Sequence, residues 1–376
     1  MLTHLICSEC PNGCNLSLDW KDAVSIVVSD NQCSRGIGYV ARALRKEKDV
    51  HVEAKEKTTH FSPEALAQII DRWGMHFARA RYDIPIQGSP ERSLFRVVAE
   101  TSEGKLFVLE QIAIKNLEAK RRIAKTLAFF AQQRLSSICP YVVDLAGEHL
   151  VQYRTTFWQL APFVAGVPLD REKYVFEGWR GQALARFLIE LRGQSQNVLS
   201  FDLQKPFSLK EYIAKLTRSI DLYNEGVQVR ANDILDFLEK DLMRSYEKLP
   251  VAFCHGDYHP MNMIWAPDRI ECVIDWEFTG YKKEIYDMAN LIGCVGVENP
   301  KSLSGDLIRK FVADIKSSQI ISDVSWQYLV EFIIALRFAW LSEWLRRRDT
   351  EMIDLELDYM HLLMENKDNL RMIWEI

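Results

Sequence analysis

His255-Gly256-Asp257-Tyr258-His259-Pro260-Met261-Asn262, followed after a turn by Val273-Ile274-Asp275-Trp276-Glu277, is the stretch on which the reading of this chain depends. Short apolar runs surround it, and runs of this length read as strands with polar residues at their ends, where active sites are usually placed. Helical patterns lie on both sides. Trp179 to Gln194, Leu209 to Gly226 and Asn232 to Lys248 each show three- and four-residue apolar recurrence. Further on, Trp326, Leu329, Ile333, Leu336, Trp340 and Trp344 share one helical face and read as core. Upstream the pattern is mostly strands. After apolar recurrence at helical spacing from Leu66 to Ala80, the runs YDIPI, SLFRVVAET and KLFVLEQI read as three strands, the last two joined by Ser102-Glu103-Gly104. An amphipathic helix from Lys115 to Leu135 follows, then two strands around Ala146-Gly147-Glu148, then FWQLAPFVAGVPL, a strand running into a Gly/Pro connection. The class expected is α+β.

The ordered set HGDYHPMN, IDWE and the later Asp287-Met288-Ala289 resembles the catalytic core of the aminoglycoside phosphotransferase and choline kinase-like superfamily, relatives of the protein kinases. The resemblance extends from about Trp73 to the end and includes the LFVL strand and QLAPFVAGVPL as a hinge. It implies a two-lobed, protein-kinase-like fold, with an antiparallel-sheet N-lobe over 65–164 and a mainly helical C-lobe over 165–376. It also implies ATP-dependent transfer of a γ-phosphoryl group to a hydroxyl of a small molecule. Carried onto these positions, Asp257 would orient the hydroxyl and accept its proton, while Asn262 and Asp275 would hold magnesium between the phosphates. His255 and Asp287 would tie the catalytic loop to the next helix, with His259 in the same network. These residue types suit the chemistry, because phosphoryl transfer needs oxygen ligands for Mg²⁺ and a carboxylate near the attacking hydroxyl more than covalent help.

Two positions depart from the family pattern. Active relatives usually carry a lysine, as in VLK, where this chain has Glu110, and a carboxylate facing triphosphate is repulsive. Glu110 is therefore expected to face a base from the following helix, Lys120, Arg121 or Lys115, in a charge-reversed pair; the alternative is that it points to solvent. The glycine turn is thin, Gly88-Ser89-Pro90-Glu91-Arg92, and Arg92 is the other candidate for phosphate contact. These departures keep a second function in view, a catalytically weak nucleotide-binding scaffold or sensor. The acids Glu343, Glu351, Asp354, Glu356 and Asp358 could face a cationic amine, but with Arg346, Arg347 and Arg348 nearby they read as a solvated face.

Cys7, Cys10, Cys14 and Cys33 fall in the first tenth of the chain, spaced C-x2-C-x3-C-x18-C, with Pro11, Gly13, Gly36 and Gly38 supplying turns. Such a set in a reducing compartment points to a metal, zinc or a [4Fe–4S] cluster, both of which accept four thiolates. The CxxCPxGC start and later CxRG resemble small cysteine-rich modules related in pattern to iron–sulfur segments, which inclines the reading to iron–sulfur. Between the ligand loops, Leu16, Leu18, Val24, Ile26 and Val28 alternate as in a hairpin. The module is placed at 1–45 and a charged linker at 46–64, where RALRKEKDVHVEAKEK from Arg42 to Lys57 is dense in both signs. A redox carrier or sensor built on this module is a third reading. Cys139, Cys254, Cys272 and Cys294 are scattered and read as small buried hydrophobes.

Composition bounds the rest. The 376 residues are 48% hydrophobic and 26% charged with a net charge of −5, which excludes disorder as the main state and argues against nucleic acid or anionic lipid as the main partner. No apolar run approaches the roughly 18 residues of a membrane span. Met1 to Cys7 lacks the features of a signal peptide, so the cytoplasm is the expected compartment. A protein partner at the cysteine module is the one macromolecular contact left open.

Overall fold

The computed structural model describes residues 2–6, 15–20, 25–29, 40, 51–54, 61–86, 93–195, 198, 205–220 and 225–376. The chain divides into two compact units, the first made of Met1–Leu117 and Val142–Leu160, the second of Glu118–Tyr141 and Ala161–Ile376.

In the first unit a four-stranded sheet has the order β1 (Leu2–Ile6), β2 (Asn15–Trp20), β3 (Ser25–Ser29), β4 (His51–Ala54). β2 and β3 are the expected hairpin pair, with buried Leu18 opposite buried Val28. β4 joins β3 in parallel, so the charged stretch expected as a linker contributes a strand. Cys7, Cys10, Cys14, Cys33 and Arg92 lie outside the described residues.

Helix α1 (Pro63–Ile70) follows. Ser62 caps it by accepting from the Ala65 amide at 3.2 Å, and Pro63 stands in the first turn, where its missing N–H is no loss. The second sheet has the order β5 (Phe77–Ala80), β6 (Ser93–Thr101), β7 (Leu106–Ile112), β9 (Thr156–Pro162), β8 (Val151–Tyr153). Leu66, Ile69 and Ile70 of α1 pack with Val97, Leu109 and Trp158. Phe61 meets both Phe95 and Trp158 edge-on at 4.9 Å. Two expected strands are absent here. YDIPI is a turn, because Arg81 folds back to grip Asp83 at 2.7 Å as well as Glu100 at 3.1 Å. Around Gly147 the Asp144 carboxylate accepts the amides of Ala146 and Glu148 at 2.9 and 2.8 Å, a local loop that competes with strand pairing. The hairpin lies later, between β8 and β9.

The second unit is mainly helical. Its long helices are α2 (Leu117–Gln132, from Glu118), α3 (Gly178–Gln194), α4 (Leu209–Ile220), α5 (Glu225–Lys240), α6 (Tyr286–Glu298), α7 (Asp306–Ser318), α8 (Leu329–Arg347), α9 (Thr350–Glu365) and α10 (Lys367–Ile373). Two small antiparallel pairs are set among them, β10 (Val251–Cys254) with β13 (Gly280–Lys283) and β11 (Met263–Trp265) with β12 (Ile270–Val273). α3 and α7 come together at Gly181, where a β-carbon would stand 2.1 Å from the Leu307 carbonyl oxygen. Of the expected aromatic stripe, Leu329, Ile333 and Leu336 of α8 are buried, as is Trp326 just ahead of that helix, while Trp340 and Trp344 are only half-buried.

Of the acids near the end of the chain, Glu351, Asp354 and Asp358 are exposed and Glu343 is half-buried, as a solvated face requires, and Glu356 is the exception. Glu343 is held by Arg346 and Arg347, and Asp354 and Asp358 by Arg230. Glu356 is buried because it turns inward to Arg337 of α8, its Oε2 accepting from Arg337 Nε at 2.8 Å. Among the described residues no helix is long and apolar enough to cross a membrane.

Candidate functional site

β10 delivers the chain into the loop His255 to His259, and a 3₁₀ turn, Pro260–Asn262, returns it to β11. The loop is clamped at its root by Asp287, in the first turn of α6. Its Oδ2 accepts the His255 amide at 2.7 Å and its Oδ1 the Gly256 amide at 2.8 Å. Burial pushes the Asp287 carboxyl up, against the pull of these two amides. Gly256 is required twice over: its φ is +88°, and a β-carbon there would lie 2.1 Å from the Phe278 carbonyl oxygen.

His255 is fully buried and neutral, its pKa pushed down to about 3 chiefly by burial. Its Nδ1 accepts the Asp257 amide at 3.2 Å, so Nε2 carries the proton and donates to the Ile274 carbonyl at 3.0 Å. One imidazole thus ties the Asp257 loop to the segment bearing Asp275. Because an unfolded imidazole titrates near 6.5, this burial stabilises the fold fully above that value and the contribution is lost as pH falls from 6.5 toward 3. At pH 5 the loss is on the order of 2 kcal/mol. Melting temperature should drop between pH 7 and pH 5 in the native protein and less steeply in His255→Asn; equal slopes would show that the imidazole is not the acid-sensitive group.

Asn262 fixes the carboxylate end. Its Nδ2 donates to the Asp257 carbonyl at 2.8 Å and to Asp257 Oδ2 at 3.1 Å, which settles the amide orientation and leaves its Oδ1 as an acceptor. His259 Nε2 lies 3.6 Å from Asp257 Oδ1. Asp275 has left-handed backbone, φ 63° and ψ 58°, a conformation in which aspartate is among the better tolerated residues. Trp276 Nε1 locks the turn by donating to Val273 at 2.9 Å. The oxygens of Asp257, Asn262 and Asp275 are hard donors that suit magnesium, an ion typically held by one or two carboxylates together with substrate phosphates. Among the described residues no group of three or more His, Cys, Asp and Glu side chains is placed to hold a metal ion.

Glu110 is buried on β7, so the solvent-facing alternative is excluded. Its Oε1 accepts from Arg96 Nη2 on β6 at 2.7 Å and its Oε2 from Gln159 on β9 at 2.9 Å. The sequence reading missed Arg96, although the signal was there: counting outward from the Ser102-Glu103-Gly104 turn places Arg96 opposite Glu110. Of the helix bases, Arg121 is exposed and paired with Glu118 at 2.8 Å, and Lys115 is exposed. Lys120 is buried with its ammonium on Glu277, two residues beyond Asp275, a contact no local sequence signal announces.

The comparisons with known proteins agree with this layout. A search of curated proteins gave no match. Among solved structures, an amicoumacin kinase, hAmiN, in complex with AMP-PNP, Ca²⁺ and Ami is 12% identical with a TM-score of 0.58, covering 81% of this chain and 94% of its own. An aminoglycoside phosphotransferase from Alicyclobacillus acidocaldarius is 14% identical with a TM-score of 0.60, covering 85% and 98%. A microcompartment-associated aminopropanol kinase is 14% identical with a TM-score of 0.61, covering 81% and 97%. At these identities the likeness is one of fold, a curled antiparallel sheet followed by a helical region. The model of the phosphotransferase enzyme family, APH, matches residues 87–314, more than half of the chain and all of the loop just described, and the chain belongs to that family.

Proposed function

We propose that this chain transfers the γ-phosphoryl group of ATP to a hydroxyl of a small molecule. The observation that carries the reading is Asp257, its carboxylate steadied by Asn262 on a loop whose root is clamped by Asp287. In this reading Asp257 orients the acceptor hydroxyl and takes its proton, and Asn262 Oδ1 with Asp275 holds magnesium. Magnesium, when bound, neutralises charge on the phosphate oxygens. His255 and Asp287 keep the loop in place without touching the reacting atoms. The fold shared with an amicoumacin kinase and an aminopropanol kinase supports a small hydroxyl compound as acceptor. Turnover of Mg-ATP across a panel of amino alcohols, sugars and aminoglycosides tests the proposal.

Glu110 favours a second reading, a catalytically weak scaffold that senses nucleotide. An acid stands where active relatives have lysine, and it is already engaged by Arg96 and Gln159. Binding of Mg-ATP with no turnover on any acceptor decides for it.

The same proposal gives Cys7, Cys10, Cys14 and Cys33 one zinc ion or one [4Fe–4S] cluster, on their spacing alone. Anaerobically purified protein should contain one such centre, distinguished by metal analysis and visible absorption. Metal-free protein in which all four of these thiols titrate sinks the assignment.

A further inference from the structure

Two thiols outside the phosphate-handling residues, Cys139 and Cys272, lie against each other within the second unit. Ser137 has left-handed backbone, φ 55°, and turns the segment after α2 alongside β12. Ile138 pairs with Val273 in a parallel bridge, the Val273 amide donates to the Ser137 carbonyl at 2.7 Å, and Ser137 Oγ donates to the Ile270 carbonyl at 2.8 Å. Side chains alternate along strands, so with Ile138 and Val273 on one face, Cys139 and Cys272 share the other. Their side chains interact across that face, and the Cys272 thiol itself donates to the Val273 carbonyl at 3.5 Å. Cys272 is fully buried and Cys139 half-buried, and neither is in a disulfide. The neighbouring Cys272 side chain holds the Cys139 thiol below the ordinary range, while the same neighbour and burial raise that of Cys272. A partly accessible thiol beside a fully buried one is how an attacking and a resolving cysteine are arranged. Cys272 is three residues before Asp275, and β12 runs into the Asp275 turn.

We infer that Cys139 and Cys272 form a peroxide-responsive modification site, closing to a disulfide that displaces the Asp275 turn. Cys139 sulfur attacks one peroxide oxygen, the O–O bond breaks, and the departing hydroxide takes a proton to become water. Cys139 is left as a sulfenic acid. Cys272 sulfur then attacks Cys139 sulfur, the S–O bond breaks, and a second water leaves with the Cys272 proton. Two thiols have lost two electrons and two protons, and one peroxide has become two waters. A disulfide of about 2.05 Å is shorter than any contact between two unbonded sulfurs, so closure draws β12 toward the 137–139 segment and moves Asp275 with it. Only the consequence for nucleotide rests on the phosphotransferase reading.

The test titrates the full chain with hydrogen peroxide, blocks free thiols and maps peptides without reduction. A linked peptide joining Cys139 to Cys272 is expected, reversed by dithiothreitol and absent in Cys139→Ser. Hydrogen exchange over Ile274 to Thr279 should quicken in the oxidised protein and recover on reduction. Mg-ATP affinity should fall roughly fivefold or more in the oxidised protein and not in peroxide-treated Cys139→Ser. Cys139 carried to sulfinic acid with Cys272 still free would overturn the site. A disulfide with unchanged exchange over that turn would overturn its link to Asp275. Map and exchange need no nucleotide, so a reduced protein that fails to bind Mg-ATP counts against the phosphotransferase reading alone.

Discussion

Asp257→Ala is expected to lower turnover by roughly 10²- to 10⁴-fold, the usual contribution of a positioned general base, while Mg-ATP affinity stays as it was. The loop should survive the change. Asn262 Nδ2 keeps its 2.8 Å bond to the carbonyl of residue 257, and the Asp287 clamp acts on the amides of residues 255 and 256. Asp275→Ala should do the opposite, removing the magnesium dependence of nucleotide binding, because one of the two proposed ligands is lost. The separation is the point of the pair. Single-turnover rates and nucleotide titrations with and without magnesium read it directly. Unchanged affinity and magnesium dependence in Asp275→Ala would remove that residue from the metal site, and full turnover in Asp257→Ala would remove the proposed base.

Glu356→Leu should destabilise the second unit by about 3–5 kcal/mol, the range for leaving one charge of a buried pair without its partner. Arg337 and Glu356 side chains are only 3% and 1% exposed, and Trp344 Nε1 also donates to Glu356 at 3.3 Å. The stranded guanidinium would retain Trp340 and Tyr359 at 5.4 and 5.7 Å, which soften its desolvation without replacing a carboxylate. At roughly 2–4 °C per kcal/mol, melting falls by about 6–20 °C. The double variant Arg337→Met, Glu356→Leu should recover most of this, since no charge remains buried. A double variant as unstable as the single one would mean that packing volume, not charge, sets the cost.

The segment proposed as the catalytic loop was legible because its residues are local: an aspartate, an asparagine and a second aspartate within twenty positions, on strands short and apolar enough to read directly. Long-range partners were less so. Arg337 with Glu356 joins two helices, and read locally Glu356 is one more acid in a charged run, so its burial went unseen. Lys120 with Glu277 is 157 positions apart and carries no periodic signature at all. The two missing strands failed for a different reason. Side chains of Arg81 and Asp144 form hydrogen bonds that hold the local backbone out of a ladder, and periodicity does not weigh such bonds.

The second unit draws α2 from ahead of β8, so the chain leaves that unit at Tyr141 and re-enters it at Ala161. During synthesis the aromatic face of α2 is therefore made long before its partners. Phe130 must wait more than a hundred residues for Phe253 and Trp276, whose rings it finally meets at 5.4 and 6.1 Å. Contacts of such separation close late and slow folding. The nascent chain carries Ile123, Leu127 and Phe130 uncovered through that interval, a stretch for a chaperone to hold. A fragment beginning at Ala161 inherits the complementary problem. It would leave Phe253 and Trp276 without the helix that covers them, so one cut cannot yield the second unit as a free-standing domain.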